Sequence, residues 1–297
     1  MSFINRQYLV ETDWLVEHLD DPDLRIIDCT QYLPGYTDDV AITTVSGREN
    51  FAQGHIPGAA YVDLLGELSD PTRSGVYAPM PPAEQFAAVM GRIGVGEGTR
   101  VVLYDDFLGM YAARIWWMLR AFGFDHAAVL NGGWQTWTRE GRPVSTEPAT
   151  YPAATFAPHL RADRIASKED VLAAIGAEGV TIVNALLEPE YTGDSAFPQH
   201  YGRSGHIPGS VNVPFASVVD MASDTRFVAE DALRQRFADA GALDSERVIT
   251  YCGGGIAASQ TALLLTLLGQ ENVALYDGSM TEWGADPSLP LITGAAP

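Results

Sequence analysis

Gly54-His55-Ile56-Pro57-Gly58-Ala59 recurs as Gly205-His206-Ile207-Pro208-Gly209-Ser210. Each copy runs into an apolar, strand-like stretch: Ala60-Tyr61-Val62-Asp63 in one, Val211-Asn212-Val213-Pro214 in the other. Further along, Val101-Val102-Leu103-Tyr104-Asp105 matches Val248-Ile249-Thr250-Tyr251-Cys252. Ala128-Val129-Leu130-Asn131-Gly132-Gly133 matches Ala274-Leu275-Tyr276-Asp277-Gly278-Ser279, and Trp137 then falls opposite Trp283. The copies stand about 150 residues apart, so the repeat is domain-sized rather than a solenoid unit.

Within each copy, short β-rich runs alternate with helical spacing. In the first, 25–28, 60–62 and 101–104 read as strands. Segments 82–93 and 111–122 read as helices, with Phe86, Val89, Met90 and Ile93 on one face of the former. In the second, 180–183 and 248–251 read as strands, and 168–175, 229–238 and 257–268 as helices. Alternation of this kind predicts an α/β fold of two tandem domains, each a mostly parallel sheet flanked by helices. The stretch Pro143 to Arg164 is rich in Pro, Ala and Thr and lacks periodicity. It reads as the connection, which gives a first domain over 1–146, a linker over 147–163 and a second domain over 164–297.

The second copy's match to Asp105 is Cys252, in Tyr251-Cys252-Gly253-Gly254-Gly255-Ile256-Ala257-Ala258-Ser259. A strand precedes it and a helix follows, so the sulfur is expected at a strand's carboxyl end, facing a helix N-terminus. Backbone N–H groups there are unpaired and the helix dipole is positive. A thiol in that position tends to ionise, and the thiolate is the nucleophile. Three glycines let the backbone, from Gly253 through Ala258, curl around whatever the sulfur carries. A phosphatase loop of this shape closes on an arginine that grips phosphate. Here Ile256, Ala257, Ala258 and Ser259 follow the glycines, which argues against phosphoryl chemistry and for a smaller, singly charged persulfide. Cys29 has no such cradle and reads as structural. His55 and His206 occupy identical turns in both halves, only one of which holds the cysteine, so they read as structural too. Arg114, Trp116 and Trp117 read as core packing with an internal ion pair.

Composition bounds the partners. The 297 residues carry a formal net charge of −20, which argues against nucleic acid and anionic membrane. No apolar run reaches the length of a membrane span. Met1 to Asp13 has no apolar core and contains Glu11 and Asp13, unlike a signal peptide. With two cysteines in the chain, the expectation is a reducing cytoplasm. Two cysteines and six dispersed histidines offer no metal-ligand spacing, and no cofactor is expected.

Taken together and in this order, the motifs resemble the two-domain rhodanese family, the thiosulfate and 3-mercaptopyruvate sulfurtransferases. The residues that carry the resemblance are both Gly-His-Ile-Pro-Gly turns, Ala112-Ala113-Arg114-Ile115-Trp116-Trp117-Met118, Leu130-Asn131-Gly132-Gly133, Tyr276-Asp277-Gly278-Ser279 with Glu282-Trp283, and the cysteine loop. The resemblance implies two α/β domains with one active cysteine, Cys252, and an inactive partner domain bearing Asp105. It implies a double displacement: Cys252 takes sulfur from a small donor, and its persulfide passes that sulfur to a thiol or cyanide. A protein acceptor is also compatible. So is an alternative role as a sulfur relay or persulfide sensor loaded by a protein partner.

Departures from the family pattern bear on the donor. Thiosulfate-type members look like Cys-Arg-Lys-Gly-Val-Thr, and mercaptopyruvate-type members like Cys-Gly-Ser-Gly-Val-Thr. The neutral loop here is nearer the second. The family's substrate arginines map onto Leu186 and Glu190. Arg203 is the expected replacement cation, with Arg48 a weaker candidate. Asp63 matches an aspartate of the mercaptopyruvate type, and Met110 and Tyr111 match positions that wall the cleft.

Overall fold

The computed structural model describes residues 3–34, 44–197 and 200–297. It contains two five-stranded parallel sheets. The first is built from Leu9–Val10, Leu24–Asp28, Ala59–Tyr61, Arg100–Tyr104 and Ala127–Leu130. The second uses Ile165–Ala166, Val180–Asn184, Ser210–Asn212, Arg247–Tyr251 and Val273–Tyr276. Counted along the chain, both sheets have the strand order first, fifth, fourth, second, third. The duplication read from sequence is thus a duplication of topology.

In each sheet the fourth strand is central. Arg100–Tyr104 pairs with Leu24–Asp28 on one side and Ala127–Leu130 on the other. Arg247–Tyr251 pairs in the same way with Val180–Asn184 and Val273–Tyr276. Four of the five residues in each central strand are buried, as the continuous apolar runs require of strands covered on both faces. Asp105 and Cys252 follow directly at their carboxyl ends, where open α/β sheets hold ligands.

The duplicated turns serve the same purpose in both domains. His55 Nδ1 lies 2.7 Å from the Phe51 carbonyl, and His206 Nδ1 lies 2.8 Å from that of Tyr191. Each ring stacks on the aromatic side chain of that same residue. The next N–H, from Ile56 or Ile207, donates to the tyrosine hydroxyl that ends the central strand, Tyr104 or Tyr251. Trp137 Nε1 donates to the Pro143 carbonyl at 2.7 Å, and Trp283 Nε1 to that of Pro290 at 2.8 Å. The histidines therefore hold turns, as expected.

Helices Met110–Ala121 and Ile256–Leu267 follow the two central strands and pack on each other across the interface. Every residue of both is buried. Burial on every side places both in an interior, and this pair is the shared core of the two domains. The connecting segment packs along the first domain: Ala149 and Ala154 N–H donate to the carbonyls of Ala59 and Gly91, and Phe156 is buried in the core. At the other end of the chain, Asn5 donates from its N–H and its side chain to the carbonyls of Leu267 and Thr266, satisfying the end of the second domain's helix.

Candidate active site

Strand Arg247–Tyr251 delivers Cys252 to the floor of the interface, where it is 3% exposed. Its N–H donates to Ser279 Oγ at 3.2 Å. Its carbonyl accepts from Met280 N–H, and that of Gly253 accepts from Thr281 N–H. The Tyr-Asp-Gly-Ser motif thus clamps the cysteine's backbone. Gly255 turns the chain into the helix with φ +84, a conformation that costs a glycine nothing. From Gly253 to Ala258, no N–H donates to a backbone carbonyl among the described residues.

The first domain shows what such a loop can hold. Asp105 occupies the matching position and is buried. Its carboxylate accepts from the N–H groups of Phe107, Gly109 and Ala112 at 2.7, 2.9 and 2.8 Å. Burial pushes its carboxyl above the usual range, and the three N–H donors oppose that. An anion at the strand end, ringed by backbone donors at a helix N-terminus, is therefore built into the non-cysteine half.

Two tyrosines roof the cysteine loop. A Cβ on Gly254 would meet the Tyr77 Cβ at 2.6 Å, and one on Gly253 would collide with the Tyr201 hydroxyl end. Tyr77 comes from the first domain and Tyr201 from the segment before the second Gly-His-Ile-Pro-Gly. Tyr77 shares a hydrogen bond with Thr44, and its backbone N–H donates to Thr281 at 3.3 Å. Tyr111, at the start of the first-domain helix, is fully buried near Tyr77, and its hydroxyl has no hydrogen-bond partner among the described residues. Burial holds both phenols above their ordinary value, so both stay protonated donors at neutral pH. A cleft of about 340 Å³ lined by Tyr77, His200, Tyr201 and Thr281 opens above them. A larger hollow of about 450 Å³ lies at the same interface, by Arg73, Lys168 and Asp277, and neither lining includes a residue of the cysteine loop.

This roof gives the glycines a second reason to exist, which is direct backbone contact with aromatic side chains. Gly254→Ala is expected to displace Tyr77 and lower kcat/KM roughly tenfold to a hundredfold, as small misplacements in a reacting site do. Steady-state rates on a variant with an unchanged circular dichroism spectrum check this; wild-type rates would remove the roof from the account.

The other expected contacts separate. Tyr111 lies behind Tyr77, and both it and Met110 are buried in the core. Asp63 caps the helix Leu64–Glu67, accepting from Gly66 N–H at 3.0 Å and from Gln31 at 3.1 Å. Arg203 requires a correction. Its guanidinium donates to four carbonyls, those of Trp283, Gly284, Asp286 and Leu289, at 2.6–3.2 Å, and so ties down the end of the helix Ser279–Trp283. Those donors are spent on backbone and are not offered to a donor molecule. Arg48 pairs with Glu67 and lies over the Tyr61 ring. Cys29 is fully buried, and burial pushes its thiol well above the ordinary value, so it is inert.

Sequence reading missed Tyr77 and Tyr201, which sit in loops without periodicity. It also gave Arg114 an ion pair internal to the first half. The pair in fact crosses the interface: Arg114 Nη2 bonds Asp277 Oδ1 of the second domain, and also the Ala78 carbonyl at 2.9 Å. Two arginines, Arg114 and Arg120, on a wholly buried helix were the available signal, since each such charge must find a partner.

Comparison with known proteins agrees with this architecture. The Rhodanese-like domain family matches residues 11–140 and 167–286. The chain is 36% identical over 283 residues to the thiosulfate sulfurtransferase of Rattus norvegicus, covering 93% of this chain and 91% of that protein. It is 33% identical over 304 residues to the sulfur carrier protein TtuD of Thermus thermophilus, covering 99% of each. The crystal structure of the Escherichia coli 3-mercaptopyruvate sulfotransferase SseA superposes with a TM-score of 0.79 at 32% identity, covering 92% of this chain and 98% of that one. With a cysteine loop in one domain, a carboxylate-filled loop in the other and this match along nearly the whole length, the chain belongs to the rhodanese-like family as a tandem two-domain sulfurtransferase.

Proposed function

We propose that Cys252 is the sulfur carrier of this enzyme. Its thiolate attacks the sulfur of a small donor, the thiol sulfur of 3-mercaptopyruvate or the outer sulfur of thiosulfate. The donor's own bond to that sulfur breaks, and pyruvate (after protonation) or sulfite leaves. The persulfide then passes its terminal sulfur to a thiol or to cyanide, returning Cys252 as the thiolate. The N–H groups from Gly253 to Ala258 hold the persulfide's negative charge. The observation that carries this reading is the Asp105 carboxylate held on three N–H groups in the matching loop. In this reading 164–297 is the catalytic domain, 1–146 its non-catalytic partner and 147–163 the linker. Two unpaired cysteines suit a reducing compartment, the cytoplasm.

The donor we favour is 3-mercaptopyruvate. The cysteine loop has no side-chain cation for a sulfonate, and Arg203 is engaged elsewhere. Parallel steady-state assays with 3-mercaptopyruvate and thiosulfate test this. The expected result is a kcat/KM at least about tenfold higher for mercaptopyruvate, the worth of one charge-assisted contact; equal values, or a preference for thiosulfate, would reverse the assignment.

The same lack of a clamp favours a second reading, a relay loaded by a protein persulfide, in the manner that the name of the Thermus thermophilus relative suggests. Slow turnover on both small donors together with fast loading from a cysteine desulfurase would select it.

A further inference from the structure

The cysteine loop has no cation of its own, yet a guanidinium lies against it. Arg114 projects from the first-domain helix Met110–Ala121 and is 0% exposed. A Cβ built on Gly255 would meet Arg114 Nη1 at 2.9 Å. Gly255 is the N-cap of the 12-residue helix behind Cys252. That helix end already carries the positive pole of the dipole, so a buried cation beside it is costly unless anions answer it.

One carboxylate answers in part. Asp277 Oδ1 takes Arg114, while Oδ2 takes Arg73 Nη1 at 2.9 Å and Met80 N–H at 3.0 Å. Two guanidinium groups thus share one carboxylate. Among the described residues, Nη1 and Nε of Arg114 have no hydrogen-bond partner at all. The nitrogen nearest Gly255 is one of these two unused donors.

We propose that Arg114 is a positioning residue for the sulfur chemistry. The first domain lends the loop the positive charge its own sequence lacks, and the balance between Arg114 and Asp277 sets how readily the sulfur on Cys252 holds a negative charge. This rests on the reading of Cys252 as the sulfur carrier. It gives the domain without the cysteine an electrostatic task in addition to walling the cleft.

Other titratable groups are packed around the loop, and His200 lines the cleft beside it. Tyr77 and Tyr111 are neutral phenols, and the Tyr201 ring packs against Gly253. Asp105, beyond Tyr111, is held by its own loop, and Glu282 takes the Tyr276 hydroxyl at 2.7 Å. Asp277 is the carboxylate that Arg114 meets.

The test is the pH profile of iodoacetamide alkylation at Cys252, read by mass in a Cys29→Ser background. Arg114→Met is expected to move the profile alkaline by about one pH unit, making labelling about tenfold slower below the midpoint. Asp277→Asn removes the neutralising charge and is expected to move it by about one unit in the acid direction. Arg114→Lys keeps the charge and is expected to recover most of the Arg114→Met displacement. A merely structural pair, once loosened, would expose Cys252 in the same way whichever partner is changed, and would not give opposite displacements.

Because the signs oppose, one folded variant decides. Asp277→Asn at or alkaline of wild type overturns the proposal, and so does Arg114→Met at or acid of wild type. If neither folds, Arg73→Gln decides from the half-exposed edge of the cluster, leaving Asp277 its bonds to Arg114 and Met80. It is expected to slow labelling about twofold, and no change would overturn the proposal. Sulfur loading from the donor, followed by mass, reads the underlying assignment separately. A protein that loads normally while ignoring both charges refutes this inference alone.

Discussion

Cys252→Ser is expected to lower sulfur-transfer turnover by roughly 10⁴-fold or more, the scale set by removing a covalent nucleophile from a cooperating site. A hydroxyl has no accessible anion at neutral pH and forms no persulfide, so no part of the double displacement survives. The fold is expected to persist, because the serine keeps the backbone bonds that fix position 252 to Ser279 and Met280. Cys29→Ser is the control. It places a hydroxyl in a fully buried site and costs about 1–3 kcal/mol of stability, while turnover stays at the wild-type level. Steady-state assays of the two variants under one set of conditions check both statements. Equal activity in the two would remove Cys252 from the reaction.

The largest expected effect on stability comes from Trp283→Ala. The indole is fully buried, meets Tyr276 edge-on with centroids 6.1 Å apart, and donates to the Pro290 carbonyl. Truncation opens a cavity and strands that carbonyl, a loss of about 3–5 kcal/mol. Against the usual net stability of a folded protein that is a large fraction. Trp137 makes the equivalent bond to Pro143 in the first domain and is equally buried. Trp137→Ala is therefore expected to cost a similar amount. Denaturant unfolding of both variants measures this. A loss under about 1 kcal/mol at either position, the level of a surface change, would mean that the two tryptophans are not the paired keystones the duplication implies.

Much of this was legible in the chain because it is written twice. The Gly-His-Ile-Pro-Gly turns, the strand ends at Tyr104 and Tyr251 and the tryptophans recur at matched spacing, and each pair has matching hydrogen bonds. The helix over 168–175 was readable from periodicity and is Lys168–Ala174, opened by a Ser167–Asp170 capping box. The cysteine loop was readable because glycines between a strand and a helix have few other uses.

The interface was not legible. Tyr77 reaches Gly254, and Arg114 reaches Asp277, across separations of well over a hundred residues, and neither contact repeats in the other half. No local pattern encodes such a meeting. Arg203 misled for the opposite reason: an arginine near a candidate site invites an anion, whereas four carbonyls at a helix end satisfy it equally well. Residue type announced that Arg114 and Arg203 need partners, and only the packing of distant segments says which partners they have.

Sulfur is expected to travel on Cys252. Intact mass of the Cys29→Ser protein after mixing with 3-mercaptopyruvate or thiosulfate measures this directly. One added sulfur atom is expected, mapped to the Cys252 peptide and removed by cyanide. No added sulfur with either small donor or with a cysteine desulfurase, or an added sulfur that persists in Cys252→Ser, would contradict it.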